Sequence, residues 1–341
     1  MAVTLDTIKA ALGRNEHAPI YLIQGTDQYL LDQARMMFTN LIDPADQTLN
    51  LGQFDLSETP LSAALDDARA VPFFGEFRVV ILDNAYFLTG ENSKNKIEHN
   101  PDEMLEYLQH PEPQTILVIF APYSKLDSRK KVVKQLKERT EYLAFGDLTE
   151  RDIQKMIYSR LEKENFKIEK DALEELIRLT NMSLTQIMSE LDKLSLYAAD
   201  SKVIDLTAVE ALVTRTLSEN IFNLIENLLA GSLTKAVQLY HELVLSGEEP
   251  LRLHAALVGQ FRLLIQVKSL QQSEQAIAGA LKVHPYRVKL AKKTVRNFSF
   301  NALSKAYLGL VAMEEQLKST QRDPELLFEL FVLRYQHDIA G

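Results

Sequence analysis

Residues 71–82 read VPFFGEFRVVIL, a stretch that joins two patterns of different kinds. Its second half continues as RVVILD over residues 78–83, an apolar run of strand length that predicts a buried strand. Its first half places Phe73 and Phe74 between a proline and a glycine, residue types that form turns. Turns generally lie at the surface. The sequence therefore predicts two large aromatic residues on a turn that leads into a buried strand.

Similar apolar runs lie on both sides of this strand and alternate with helical patterns. Helical spacing of apolar residues follows the first run, with Asp27 as the predicted N-cap. Short strands that are apolar throughout and separated by helices are typical of a parallel α/β sheet covered on both faces. The predicted strands are residues 19–24, 50–56, 78–83, 115–120 and 142–145, and the helices are residues 27–38, 61–70 and 125–139.

Beyond Gly146 the strand pattern stops, and the chain reads as a series of amphipathic helices. A length of 341 residues is too great for one typical core, so more than one domain is expected. The predicted fold class is α/β plus all-α. Its parts are an α/β domain (residues 1–145), a small helical domain (146–213) and a larger helical domain (214–341).

The composition excludes several classes of function. The chain has no cysteine, so disulfides, thiol catalysis and cysteine metal sites are excluded. Its seven histidines are scattered without a close ligand pair, and no metal site is predicted. A net charge of −9 argues against a general nucleic-acid coat. No apolar run reaches the length of a membrane span and no signal peptide is recognised, so a cytoplasmic protein is expected.

An α/β domain followed by a small helical domain suggests a nucleotide-binding ATPase, but the expected motif is missing. A phosphate loop needs glycines, a lysine and a hydroxyl after the first strand. That turn reads GTDQYLL over residues 25–31, with one glycine, no lysine and the carboxylate of Asp27. The third strand ends at Asp83, a single carboxylate where a magnesium site would be expected. The sequence predicts no catalytic residues and no cofactor.

Two basic stretches leave two interpretations open. Residues 125–139 (KLDSRKKVVKQLKER) and 282–296 (KVHPYRVKLAKKTVR) can each be a solvated helix surface, which is the commoner case, or a patch that contacts phosphates. For the first stretch, the candidate DNA-facing residues are Lys125, Arg129, Lys130, Lys131 and Lys134.

Five segments in order resemble a known family, the delta subunits of bacterial DNA polymerase III, which belong to the clamp loader. No single segment is specific, but the ordered set spans nearly the whole chain. The segments are YLIQGTDQYL (21–30), VPFFGEFRVV (71–80), FAPYSKLDSRKK (120–131), IMSELDKL (187–194) and HPYRVKL (284–290).

The resemblance implies an AAA+-like first domain with a degenerate nucleotide site, a helical lid domain without a sensor arginine, and a helical collar. It also implies that an apolar pair on a short helix at the tip of the first domain inserts into a pocket of the beta sliding clamp. The matching residues are Phe73 and Phe74, with Pro72 beside them. An exposed aromatic pair suits such a role, because each ring offers a large apolar area with few rotatable bonds.

The partners implied by the family are the beta sliding clamp, the ATP-binding tau/gamma-type and delta-prime-type subunits, which bind through the collar, and primer–template DNA. Most of the apolar residues of the collar, such as Leu257, Phe261, Leu264 and Ile265, are expected in its internal core rather than at an interface. Two alternatives of other classes remain at this point. One is a nucleotide-dependent AAA+-like ATPase with an unrecognised site, and the other is a stand-alone DNA-binding protein.

Overall fold

A computed structural model describes residues 5–14, 16–73, 75–90 and 97–340. Residues 338–340 are described by their backbone alone. The chain divides into two compact units, Met1–Asp152 and Ile153–Gly341.

A five-stranded sheet forms the centre of the first unit. The strands follow the order β2-β3-β4-β1-β5, and every neighbouring pair is parallel. All five predicted strands are present, which confirms the α/β class of this part of the chain. The strands are β1 Ile20–Gln24, β2 Leu51–Asp55, β3 Arg78–Asp83, β4 Thr115–Ala121 and β5 Glu141–Ala144.

Both faces of this sheet are buried at its central strands β1, β3 and β4, which explains why these strands are almost entirely apolar. In β3, Val80 and Leu82 belong to one core cluster, whereas Val79 and Ile81 belong to another. This alternation follows from the two-residue period of a strand. One face packs against α4, α5 and α6, and the other packs against α1 and α2. The helices are α1 Leu5–Leu12, α2 Gln28–Thr39, α3 Gln47–Asn50, α4 Leu61–Ala68, α5 Pro101–Tyr107 and α6 Lys131–Arg139.

Local capping chemistry sets where two of these helices begin. Asp27 caps α2 as predicted, since its side chain accepts a hydrogen bond of 3.1 Å from the backbone N–H of Leu30. The prediction for α6 was wrong at its start, because the helix begins at Lys131 rather than at Lys125. The side chain of Asp127 accepts from the backbone N–H of Arg129, which holds the preceding residues in a turn.

The second unit is helical, with one small exception. Two strands of two residues each, β6 Lys167–Ile168 and β7 Val203–Ile204, form a parallel pair. The prediction that strands end at residue 146 was therefore wrong, because two residues are too few for a strand period to show in the sequence. The helices are α7 Glu150–Lys163, α8 Lys170–Leu179, α9 Leu184–Tyr197, α10 Leu206–Leu212, α11 Leu217–Leu229, α12 Leu233–Leu245, α13 Pro250–Ser269, α14 Glu274–Leu281, α15 Pro285–Val295, α16 Phe300–Ser319 and α17 Pro324–Ala340.

Helices α11 to α17 share one apolar core. Leu257, Phe261 and Leu264 of α13 are buried in it, and Ile265 packs against its edge, as expected of internal residues. A buried polar contact joins α11 to α8: Arg178 pairs with Glu219 of α11 and, at 2.7 Å, with Glu175 of its own helix. In the part of the chain that the structure describes, no helix is both long enough and apolar enough to cross a membrane.

Candidate functional site

The segment of residues 71–77, called the tip here, joins α4 to β3 and lies at the edge of the sheet where β3 begins. Its described residues, 71–73 and 75–77, form bends and irregular backbone rather than the short helix that the resemblance implies. Gly75 has a φ of 80°, a conformation that a glycine adopts without strain. The glycine of the sequence pattern therefore serves a turn, as its position suggested.

Among the described residues of the tip, Phe73 is the most exposed aromatic side chain. Its exposed fraction is 70%, and Val71 is exposed to 62%. Pro72 is half-buried between them, and Phe74, the second member of the predicted pair, lies outside the described residues. A phenylalanine is among the residues most often found in a core. The exposure of Phe73 is therefore the feature of the tip that calls for a function.

The backbone of the tip is fixed although the Phe73 ring projects into solvent. The N–H of Phe73 donates a hydrogen bond of 3.0 Å to Oδ1 of Asn50, a side chain that is only 2% exposed at the end of α3. Phe77, at the other end of the tip, turns inward and packs against the core, with its ring centroid 5.2 Å from that of His17. Of the two aromatic rings described in the tip, that of Phe73 is exposed and that of Phe77 is anchored in the core.

A buried ion pair closes the base of the tip. Arg78, the first residue of β3, donates from Nη2 to Oδ2 of Asp67 on α4 over 2.6 Å. The Arg78 side chain is 5% exposed and that of Asp67 is 30% exposed. Gly52 of β2 gives the carboxylate its room, because a Cβ at that position would lie 2.4 Å from Oδ2 of Asp67. The pair connects the residues before and after the tip and so limits how far the loop can move.

The sequence predicted the exposed aromatic residue but not the residues that hold its loop in place. Asp67 and Arg78 are separated by the tip itself, and nothing in the spacing of either residue marks them as partners. Asp67 reads in sequence as part of an acidic helix surface beside Asp66, and only the fold brings it to a buried arginine. Asn50 likewise carries no local signal, since its partner is the backbone of a distant turn.

The opposite edge of the sheet, where the strands end, is the place of the missing phosphate loop. Gly25 follows β1, and a Cβ there would lie 2.7 Å from Cβ of Phe145, so packing alone explains this glycine. At the start of α2 the carboxylate of Asp27 already accepts the N–H of Leu30. A phosphate at this helix terminus would meet a negative charge in place of the lysine that such a site needs.

The carboxylate that ends β3 is likewise used within the protein. Both oxygens of Asp83 accept from the guanidinium of Arg35 on α2, at 2.5 and 2.6 Å. The guanidinium carbon lies 4.5 Å from the centre of the Phe120 ring. The described part of the chain contains no cluster of three His, Cys, Asp or Glu side chains that would suit a metal ion. At this edge, the carboxylate of Asp83 is therefore paired with an internal cation.

Neighbouring polar groups at the same edge are also paired. Nε2 of Gln24, the last residue of β1, donates to the carbonyl of Ser124 over 3.0 Å, and Oε1 of Gln24 accepts from the hydroxyl of Tyr142 over 2.6 Å. Asn84 donates from Nδ2 to Asp55 at the end of β2, over 3.0 Å. The edge is thus closed by bonds between its own side chains.

The five candidate DNA-facing residues fall into two groups. Arg129 binds both oxygens of Asp127, and these hydrogen bonds lower the pKa of Asp127 to about 2. Lys130 donates from Nζ to the carbonyl of Phe87 over 2.7 Å. The remaining three lie exposed on the turn before α6 and on its first turn, and they are Lys125, Lys131 and Lys134.

Comparison with known proteins matches three family models along the chain. The model described as DNA polymerase III, delta subunit, matches residues 21–145, which include the tip. A model described as a middle domain matches residues 149–211. The model of the DNA polymerase III delta subunit, C-terminal domain, matches residues 218–335.

Two curated relatives agree with these models. The DNA polymerase III subunit delta of Bacillus subtilis is 38% identical over 329 residues, which cover 95% of this chain and 94% of the relative. The probable DNA polymerase III subunit delta of Aquifex aeolicus is 23% identical over 266 residues, which cover 77% and 74% of the two chains.

A solved structure shows the same fold over the same length. The DNA clamp loader delta protein of Bacillus subtilis matches with a TM-score of 0.72 and 37% identity, covering 97% of this chain and 99% of that one. The chain therefore has the fold of that delta protein, a parallel sheet domain followed by helices. Since a relative at 38% identity spans nearly the whole of both chains, the chain belongs to the DNA polymerase III delta subunit family.

Proposed function

We propose that this protein acts as the clamp-loader delta subunit that binds the ring-shaped beta sliding clamp and favours its opened form for loading onto primed DNA. The observation that carries the proposal is Phe73, an aromatic ring exposed to 70% on a loop whose backbone and base are both held in place. A subunit can shift the clamp toward an open ring only by binding that form more tightly than the closed one.

The geometry of the tip favours tight contact at a small pocket. Burying a phenylalanine side chain contributes about 1.5–3 kcal/mol. The hydrogen bond from the Phe73 backbone to Asn50 lowers the entropy that the loop would otherwise lose on binding. Phe74, which lies outside the described residues, is included in the proposed contact on the strength of the family resemblance, as is Pro72.

The proposed place in the loader rests on the second unit. Five large apolar side chains of α16 and α17 are at least 42% exposed, although both helices also supply the shared core. These residues suit an interface with the ATP-binding tau/gamma-type and delta-prime-type subunits. They are Phe300, Leu308, Val311, Leu326 and Leu333.

The rest of the proposal follows from this assignment. The division into a clamp-binding domain (residues 1–145), a lid (146–213) and a collar (214–341) is retained, and the protein is expected in the cytoplasm with no catalysis of its own. Lys125, Lys131 and Lys134 are the residues proposed to approach primer–template DNA in the assembled loader, because Arg129 already binds Asp127 and Lys130 already binds the carbonyl of Phe87.

The decisive experiment is calorimetric binding to the sliding clamp of the same organism, without nucleotide. Wild type is compared with Phe73→Ala, Phe74→Ala and the double variant. Phe73→Ala is expected to weaken binding by about 10- to 100-fold, which corresponds to the loss of a central aromatic anchor.

Met36→Ala is the matched control, because Met36 is also exposed, at 48%, but lies on α2. It should bind the clamp as wild type does. Clamp binding that survives the double variant would move the contact away from the tip. No wild-type binding at tens of micromolar would refute the proposal as a whole.

A further inference from the structure

A groove of about 330 Å³ crosses the second unit between α11, α13 and the α14–α15 pair. Its walls are mostly apolar, and its volume lies at the lower end of the range for ligand pockets. The side chains that form its walls include Leu217, Phe222, Leu263, Leu281 and Leu290.

A glycine in the middle of a long helix opens this groove. Gly259 lies at the tenth position of the 20-residue helix α13, is exposed, and lines the groove. A Cβ added there would find no atom within 4 Å, so no neighbouring element requires a glycine. A glycine inside a helix costs about 1 kcal/mol relative to alanine. Its consequence is a gap, meaning open space over Gly259, in the floor of the groove.

An exposed cation lies at the rim of the groove. Arg287 of α15 lines it, and residues 282–296 contain six Lys or Arg residues and no Asp or Glu. The side chain of Arg287 donates one hydrogen bond of 3.1 Å to the neutral amide of Gln260, and among the described residues it has no carboxylate partner. Its guanidinium therefore has donors to offer to an incoming carboxylate.

One acidic residue also lines the groove, and its charge is already paired. Glu219 has a side chain that is 3% exposed and is bound by Arg178. Burial raises the pKa of Glu219 to about 7, with Arg178 acting in the opposite direction. The exposed charge at the groove is thus positive, although the chain as a whole carries −9.

We propose that this groove binds an acidic amphipathic helix of a partner protein. A large aliphatic side chain of that helix enters the gap over Gly259, and a carboxylate on the same helix pairs with Arg287. Apolar walls with a basic rim are complementary to a helix that has one apolar stripe and acidic residues beside it. This docking site lies on the second unit and is independent of the proposed clamp contact at the tip.

The test uses the full chain and two fluorescein-labelled 18-residue peptides. The first carries leucines at helical spacing and glutamates at the remaining positions, and the second has lysine in place of every glutamate. Binding is measured by fluorescence anisotropy. The acidic peptide is expected to bind at least tenfold more tightly than the basic one.

Two pairs of variants locate the contact. Gly259→Leu should weaken binding of the acidic peptide at least tenfold, because the new side chain fills the gap, and it should not lower stability, since leucine favours a helix more than glycine does. Gly279→Leu is its control, another exposed helical glycine with open space around its Cβ, outside the groove. Arg287→Glu should weaken binding, whereas Lys289→Glu, which lies about 200° away around α15, should not.

Three results would overturn the proposal. The first is no binding of the acidic peptide up to 200 micromolar, or equal binding of both peptides. The second is an affinity that Gly259→Leu leaves unchanged. The third is that the groove binds a different occupant. This occupant could be a 20-nucleotide oligo(dT), or a second copy of this chain that sedimentation detects as a dimer. In either case, that binding would be lost in Gly259→Leu but not in Gly279→Leu. Because no clamp is present, failure here leaves the proposed role of the tip untouched.

Discussion

The two edges of the sheet in the first unit differ in whether their side chains bind one another or remain exposed. Where the strands end, the polar side chains bind one another: Asp83 binds Arg35, and Gln24 binds Tyr142. Where β3 begins, the side chain of Phe73 is exposed, and the polar contact of Asn50 holds the backbone of that loop in place. In open α/β sheets ligands usually bind at the ends of the strands. Here that edge is closed, and the proposed contact has moved to the other edge.

The difference shows how a lost site and a retained one can be told apart. A site that no longer binds a ligand leaves charged groups that are costly to bury unless they find partners, so they become paired within the fold. A surface that binds a partner must instead keep its contact groups unsatisfied until the partner arrives. By this criterion the strand ends resemble a closed site, and the tip resembles one in use.

The largest effect is expected at the base of the tip. Asp67→Ala leaves the guanidinium of Arg78 buried without its carboxylate, and it should lower the free energy of unfolding by about 2–4 kcal/mol. Urea denaturation measures this loss directly. If the pair braces the tip, clamp binding should also weaken, although Asp67 lies on α4 and is not part of the tip.

Its neighbour supplies the control. Asp66 pairs with Arg69 at the surface, where the two side chains are 77% and 43% exposed. Asp66→Ala should change the free energy of unfolding by less than about 0.5 kcal/mol. Equal effects of the two substitutions would mean that the Asp67–Arg78 pair does not brace the tip.

How far the sequence predicts this molecule differs between features of short and long range. Strand β4 was predictable because seven consecutive buried residues leave an apolar run, and the Asp27 cap because its signal is local. The start of α6 was missed because the residue pattern predicts a helix from residue 125, whereas the side chain of Asp127 holds the residues before α6 in a turn. Arg35–Asp83 and Asp67–Arg78 join residues that meet only through the fold, so no periodicity reveals them.

A smaller effect is expected at the strand ends. Arg35→Ala removes the partner of Asp83, and because both side chains are about a quarter exposed, the free energy of unfolding should fall by about 1–2 kcal/mol. Clamp affinity should not change, since the tip lies at the other edge of the sheet. Arg129→Ala, which breaks a similar two-pronged pair at an exposed position, should have a smaller effect on stability. Clamp binding that depends on Arg35 would break the separation of the two edges.

A still smaller effect should appear with pH at the start of α4. The N–H of Leu61 donates to Nδ1 of His99 over 3.2 Å, and Nε2 of His99 donates to the carbonyl of Leu56 over 2.8 Å. Burial lowers the pKa of His99 below 6.5, partly offset by its hydrogen bond to Leu56. The folded state therefore binds its proton less readily than the unfolded state, so this stability is present above pH 6.5 and lost as the pH falls below it.

The measurement is the free energy of unfolding at pH 7.5 and pH 5.5, for wild type and His99→Gln. The variant should show a smaller loss between the two pH values than wild type does, because it lacks the group whose pKa burial lowers. The comparison cancels the titration of every other group. An identical loss in both proteins would show that His99 does not titrate differently in the folded state.

The smallest expected effect is that of nucleotide, and it tests the alternative of an ATPase directly. Calorimetry of wild type with ATP and magnesium should show no binding tighter than about 1 mM, because Asp27 offers a negative charge to a phosphate and Asp83 is bound to Arg35.

Arg35→Ala sharpens the test, since it releases Asp83 for a metal ion while the turn at Gly25 still lacks a lysine. If the variant stays as inert as wild type, the turn after β1, with the Asp27 carboxylate and without a lysine, is sufficient to exclude ATP. Binding that appears only in Arg35→Ala would show that the Arg35–Asp83 pair alone keeps the edge closed, and binding by wild type would mean that the strand ends are still a site in use.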